Sequence, residues 1–228
     1  MPNAFYGIFN ENKVILDKGE TSHLKIVRLK ENDEIKVFDG KGNIYYCIIE
    51  KIRKNETICQ IKTKETYIKK LTPEIDFYIG ASKFDRMKIL IEKLVELRVN
   101  NIYIFHSKKS QLKFKTIEKF KKTIIESSKQ SENPVFPEVK FFDLKNIQTI
   151  KNPIMLDLTS TKSLKDELNH MSKVEKISII LGPDMGFTEE EILKLPENRV
   201  NLGDTIMRFE TAGIYTMSIL NYFFDRLY

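Results

Sequence analysis

Cysteine, histidine and long apolar runs are all scarce in this chain of 228 residues, and each shortage excludes a class of protein. Cys47 and Cys59 are the only cysteines, too few for a disulfide scaffold or a thiolate zinc site, so a reduced, cytoplasmic setting is expected. No apolar stretch approaches the roughly 20 residues of a membrane span. The opening residues lack the basic segment, apolar stretch and small-residue cleavage site of a secretory leader. His23, His106 and His170 lie far apart, and neither G-x-S-x-G nor H-E-x-x-H occurs, which leaves a hydrolase without its usual signatures. The dinucleotide fingerprint G-x-G-x-x-G and the P-loop G-x-x-x-x-G-K-[ST] are missing as well. No metal site is expected.

What is present is a folded composition, 41% hydrophobic and 31% charged, with length enough to bury a core as one large domain or two small ones. Lys and Arg number 38 against 32 Asp and Glu, and the net charge of +6 is a faint pointer to an anionic partner. The local signal is sharper. Between Ser107 and Gln130 stand Lys108, Lys109, Lys113, Lys115, Lys119, Lys121, Lys122 and Lys129, opposed only by Glu118 and Glu126. Ile117, Phe120, Ile124 and Ile125 recur there at helical spacing, which predicts an amphipathic helix with a basic outer face. A solvated lysine face and a phosphate-contacting surface fit this pattern equally well.

The first 70 residues read as β-rich, with strands expected at 5–9, 13–16, 34–38, 44–52 and 57–63 and a helix over 20–29. Asp39-Gly40 supplies a hairpin turn, because glycine accepts positive φ. Short strands with turns between them predict a small barrel. After a boundary at 66–73 the rhythm changes to alternating strands (75–81, 101–105, 139–142, 153–158, 176–181) and helices (85–99, 163–171), the signature of a parallel α/β sheet. The chain is therefore divided into 1–70 and 71–228.

Two segments look chemical. In the first, the apolar strand Lys176–Leu181 runs into Gly182-Pro183-Asp184-Met185-Gly186, and Thr188 then opens a helix with Glu191 at the capping-box position. Ligands of parallel sheets lie beyond the carboxyl ends of strands, where glycine allows close approach, although a tight turn alone also needs glycine. In the second, a strand ends at Leu202-Gly203, a loop follows, and an apolar helix is expected from about Glu210 to Leu227. Arg208, Glu210 and Thr211 gather at its start. Glu210 and Thr211 are candidate helix caps, and Arg208 suits an anionic or carbonyl-rich ligand.

Taken in order, these segments resemble the RsmE family of ribosomal RNA uridine methyltransferases, within the SPOUT superfamily of knotted α/β proteins. His23–Leu29 resembles the family's H-x-x-V-L-R segment, and Phe38–Tyr45 its DG-x-G hairpin. Ile91–Val99 is similar to QKATELGV, Glu126–Ser131 to EA-x-x-Q-S, Leu181–Phe187 to IGPEGGF, and Leu202–Ala212 to LG-x-RILR-x-ETA. The match spans nearly the whole chain. It departs at Arg98, where a glycine is usual, and at Met185, which replaces a glycine. Glu132 and Asn133 stand where a positive charge is usual, and Thr205 replaces an arginine.

The resemblance implies an N-terminal PUA-like β-barrel (1–70) that binds RNA, and a SPOUT methyltransferase domain with a trefoil knot (71–228). It implies S-adenosylmethionine held by Leu181, Gly182, Pro183, Gly186, Leu202, Gly203, Ile206, Met207, Arg208 and Thr211. The reaction implied is methyl transfer to ring nitrogen 3 of a uridine in small-subunit (16S) ribosomal RNA. Arg208 would stabilise charge on a uracil carbonyl, and Glu210 would accept a proton or orient Arg208, or serve only as a helix-start carboxylate. His23, Arg28, Lys83, Arg86, Lys108, Lys109 and Lys113 would meet the RNA, in an assembled or nearly assembled subunit. The chain would act as a homodimer through its apolar last helix. A non-catalytic RNA-binding protein of the same fold is the alternative.

Overall fold

The computed structural model describes residues 4–67, 69–110, 112–171 and 174–227. They divide into two compact units, one of residues 1–69 with 125–136, the other of 70–124 with 137–228. Sequence periodicity placed 125–136 with the second half of the chain, because the helix carrying its first residues begins in the second unit.

In the first unit, strands β1 (Ala4–Tyr6), β2 (Ile8–Asn10), β3 (Lys13–Leu16), β4 (Glu34–Phe38), β5 (Asn43–Ile52) and β6 (Thr57–Thr66) form a six-stranded sheet in the order β1-β4-β5-β6-β3-β2. The expected strand over 5–9 is broken at Gly7. Its halves lie on opposite edges of the sheet, β1 parallel to β4 and β2 antiparallel to β3. Edge strands joined by one residue can exist only if the sheet curls until its edges meet, so the chain itself closes the barrel. Glycine is required at that corner: a Cβ on Gly7 would lie 2.4 Å from Cγ1 of Val14. Inside sit Phe5, Val14, Leu16, Ile35, Val37, Ile49, both cysteines, and Leu24 of helix α1 (Lys18–Ile26). Asp17 caps α1 by accepting from the Glu20 amide at 2.8 Å, so the helix starts before the residue expected. Segment 125–136 belongs here through backbone. Gly42 donates to the Pro134 carbonyl at 2.9 Å, and Phe136 donates to that of Gly40 at 2.9 Å.

The second unit holds β7 (Glu74–Gly80), α2 (Phe84–Glu96), β8 (Asn101–Phe105), the start of α3 (Glu118–Gln130), β9 (Glu138–Phe142), a 3-10 turn over Leu144–Thr149, β10 (Pro153–Leu156), α4 (Leu164–Asn169), β11 (Lys176–Leu181), α5 (Glu189–Ile192), β12 (Arg199–Val200) and α6 (Phe209–Phe223). Its sheet runs β12-β10-β11-β7-β8-β9, all neighbours parallel. Burial on both faces explains the consecutive apolar residues Phe77, Tyr78 and Ile79 of β7 and Ile179, Ile180 and Leu181 of β11. The last strand covers only Arg199–Val200, short of the expected Gly203, and α6 stops at Phe223 rather than Leu227.

Four helices end in the same way. Beyond α1, α2, α3 and α6 the chain turns through Arg28, Arg98, Glu132 and Asp225, all at positive φ (62°, 63°, 51° and 51°). The next amide in each case bonds back across the last turn, Leu29 to Leu24, Val99 to Leu94, Asn133 to Ser128 and Arg226 to Asn221. This is the helix stop that favours glycine. The departure at Arg98 is thus one of side chain and not of backbone.

Candidate active site

Loops after four neighbouring parallel strands converge on a cavity of about 610 Å³. The loop after β11 contributes Leu181, Gly182, Pro183, Asp184 and Gly186, and that after β12 contributes Asn201, Leu202, Thr205, Ile206, Met207 and Arg208. Leu156, Asp157, Leu158 and Thr159 follow β10, and Arg86 comes from the first turn of α2, beyond β7. The sheet order doubles back at this place, with β8 and β9 on one side of β7 and β11, β10 and β12 on the other. Such a reversal splays the crossover segments and leaves a crevice.

Close approach shapes the first loop. A Cβ on Gly80 would lie 2.4 Å from the Pro183 nitrogen, so only glycine at the end of β7 admits the Gly182–Asp184 passage over it. The Asp184 amide donates to Oγ of Ser82 at 3.2 Å, and its Oδ2 pairs with Arg86 at 2.9 Å. The other oxygen, Oδ1, is buried without a partner among the described residues. Positive φ falls on Gly186 (65°) and not on Met185, whose exposed side chain therefore costs the backbone nothing. Thr188 and Glu191 form the expected capping box on the short α5.

The second loop delivers Arg208 as the N-cap residue of α6, without a side-chain capping bond. Arg208 is exposed, lines the cavity, and has no ion pair among the described residues. Glu210 and Thr211 do not cap the helix. They occupy its first turn, outside the cavity wall, and Glu210 Oε2 is buried with no described partner. The geometry thus separates the two proposed catalytic residues, with Arg208 at the cavity and Glu210 behind it. Of the ten residues expected to hold a cofactor, Leu181, Gly182, Pro183, Gly186, Leu202, Ile206, Met207 and Arg208 line the cavity, whereas Gly203 and Thr211 do not.

Sequence reading missed the wall after β10. Asp157 Oδ1 accepts from the Thr159 amide at 2.8 Å and its hydroxyl at 2.7 Å, and Oδ2 lies 3.4 Å from Arg199. Burial opposes ionisation of Asp157, but these hydrogen bonds and the Arg199 charge outweigh it and hold its carboxyl below the usual range. The signal available was the polar run Asp157-Leu-Thr-Ser-Thr161 just past an apolar strand.

The expected RNA contacts scatter. His23 packs against Phe5 in the first unit, with ring centroids 5.3 Å apart, and Arg28 is exposed beyond α1. In the second unit Lys83, Lys109 and Lys113 are exposed. Arg86 lies in the cavity wall, and Lys108 pairs with Glu190. Lys129 is no part of a solvated track: it is buried against Glu20 in the first unit, both side chains 11% exposed. Among the described residues no group of three or more His, Cys, Asp or Glu is placed to hold a metal, and no helix is long and apolar enough to cross a membrane.

A cavity of this kind, built at the carboxyl edge of a parallel sheet, meets a direct comparison with known proteins. The model of the RNA methyltransferase domain matches residues 69–221, and that of the RNA methyltransferase PUA domain matches 16–62. The chain belongs to the RNA methyltransferase family. This methyltransferase is 30% identical to the ribosomal RNA small subunit methyltransferase E of Aquifex aeolicus over 221 residues, 92% of this chain and 94% of that one. The protein of the same name from Buchnera aphidicola is 26% identical over 97% of this chain and 89% of its own. Among solved structures, a predicted RNA methyltransferase of Thermotoga maritima is 29% identical with a TM-score of 0.81, covering 97% of this chain and all (100%) of that one. The Neisseria gonorrhoeae ribosomal RNA small subunit methyltransferase E, bound to S-adenosyl methionine, shares the fold at a TM-score of 0.85 and 23% identity, covering 97% and 98%. The family expected from the ordered segments is the family found.

Proposed function

We propose that this methyltransferase modifies ring nitrogen 3 of a uridine in small-subunit (16S) ribosomal RNA, with S-adenosylmethionine as methyl donor. The observation that carries the reading is exposed Arg208 on the wall of the cavity, with no ion pair among the described residues. The cavity fits the cofactor: its volume lies in the range of small-ligand sites. Leu156, Leu158, Leu181 and Leu202 give apolar walls, and Gly182, Pro183 and Gly186 of the loop after β11 line it as well. When bound, the cofactor supplies a methyl group already activated on a sulfonium, so no metal is needed.

The nitrogen to be methylated carries a proton at neutral pH, and the site must favour its anion. Arg208, the N-cap residue of α6 on the cavity wall, would donate to a uracil carbonyl on which that charge is shared. Glu210 supports the helix start electrostatically. The division of labour proposed gives RNA holding to the barrel unit and chemistry to the second unit. Passage of the chain from β11 through β12 to α6 is the segment in which the superfamily's knot would lie. Exposed Tyr215, Tyr222 and Phe223 on α6 support a homodimer. A cytoplasmic enzyme acting on an assembled or nearly assembled subunit completes the reading.

Mass mapping of methylated nucleotides in small-subunit ribosomal RNA from a deletion strain tests it, and one uridine should lose its methyl group. Arg208→Ala should cut transfer by roughly 100-fold or more while calorimetry still registers S-adenosylmethionine. Absence of cofactor binding by the native protein would leave only the RNA-binding alternative.

A further inference from the structure

On the second unit, a group of aromatic rings reaches the surface amid lysines. Phe141 belongs to the sheet's edge strand β9, in register with Ile104 of β8, and remains 41% exposed. Its ring centroid lies 5.6 Å from that of His106, which in turn lies 6.4 Å from Phe114. Behind them Phe120, fully buried, meets Phe114 edge-on at 4.9 Å, and Phe84 lies 5.6 Å from Phe120. The loop is pinned, because the Phe114 amide donates to Nε2 of His106 at 3.0 Å. That bond requires the neutral ring, and burial together with Lys113 lowers the His106 pKa in the same sense.

Among the described residues, lysines without an ion pair stand around the rings. Lys109, Lys113 and Lys115 are exposed and have no ion pair among the described residues. The Lys119 ammonium stands 5.4 Å over the Phe84 ring. The nearby acids Glu118 and Glu138 are engaged by Lys121 and Lys140. An exposed aromatic on an edge strand is an aggregation hazard unless something covers it. Protein interfaces are depleted of lysine, whereas stacking rings inside a cationic surround are the usual means of holding unpaired nucleotides.

We propose that His106, Phe114 and Phe141 form a stacking platform for unpaired bases of the RNA substrate, with Lys113, Lys115 and Lys119 holding the flanking phosphates. This rests on the RNA methyltransferase reading above and adds a surface outside its cavity. An enzyme that must reach the pairing edge of a uridine works on RNA that is locally unpaired, and this platform would hold the strand next to the target.

Fluorescence anisotropy with a labelled oligouridylate and an RNA duplex of equal length provides the test, using the full chain. Phe141→Leu, which keeps the apolar volume and removes the π face, should weaken oligouridylate binding by roughly 5-fold or more and leave duplex binding unchanged. Phe141→Tyr should retain native affinity. Lys113→Ala should lower the salt dependence for both probes, by about one unit of slope. Unchanged oligouridylate affinity in Phe141→Leu overturns the proposal. So does a loss of self-association in that variant with RNA affinity kept, which would assign the rings to a second copy of the chain. Calorimetry with S-adenosylmethionine separates the two levels. Cofactor binding with an inert Phe141 sinks the platform alone, while a native protein that binds neither cofactor nor RNA sinks the methyltransferase reading with it.

Discussion

Lys113 and Lys129 belong to one lysine-rich run, yet they end in different units and serve opposite purposes. Lys113 stays in solvent near the His106 ring, in the second unit. Lys129 lies inside the first unit, its ammonium against Glu20. Charge density along a sequence therefore has no single physical meaning. A solvated lysine contributes a field to whatever anion approaches, and a buried one has lost its water and depends on its counter-ion.

The comparison can be broken most decisively by deleting each cation. Lys129→Met leaves the Glu20 carboxylate buried and unpaired, so urea unfolding should show a loss of about 3–5 kcal/mol. Lys113→Met should stay within about 0.5 kcal/mol of the native protein. Equal effects would dissolve the distinction. A smaller change sharpens it at a charged residue whose backbone, and not its charge, is the issue. Arg28 holds a left-handed conformation beyond α1 and is exposed, and Arg28→Gly should raise stability by about 0.5–1 kcal/mol. A loss in the same unfolding assay would show that its side chain outweighs the strain.

The smallest effect is expected at Asp157, a carboxylate between the two extremes of exposure. Its folded pKa is held below the unfolded value, so its contribution to stability is complete above the unfolded pKa of about 4. It is lost as pH falls through the folded value. Asp157→Asn should therefore show a shallower decline of Tm than the native protein below pH about 4. Superimposable profiles would mean that Arg199 and Thr159 add nothing there.

Much of this was legible beforehand. The strands at 13–16, 34–38, 101–105 and 176–181 fall where the apolar patterns place them, since local periodicity alone specifies which face is buried. The Gly182–Gly186 and Leu202–Arg208 loops were legible as well, because glycine and proline after an apolar strand mark where the sheet ends. Three matters were not. The break at Gly7 depends on Val14 standing where a Cβ would go, which is a tertiary distance. The wall at Asp157 depends on β10 lying between β11 and β12. The burial of Lys129 depends on Glu20, far away in the chain, reaching the same interior.

By itself, then, the sequence determined the alternation of elements, the ordered motifs and hence the family. These are properties of neighbouring residues, set by side-chain polarity at periods of two and 3.6. The tertiary structure alone decided which charges are spent inside, that Arg208 faces the cavity while Glu210 does not, and that Phe141 stays exposed among cations. Burial and pairing are set by residues brought together from distant parts of the chain, and no local pattern encodes which of two identical lysines will lose its water.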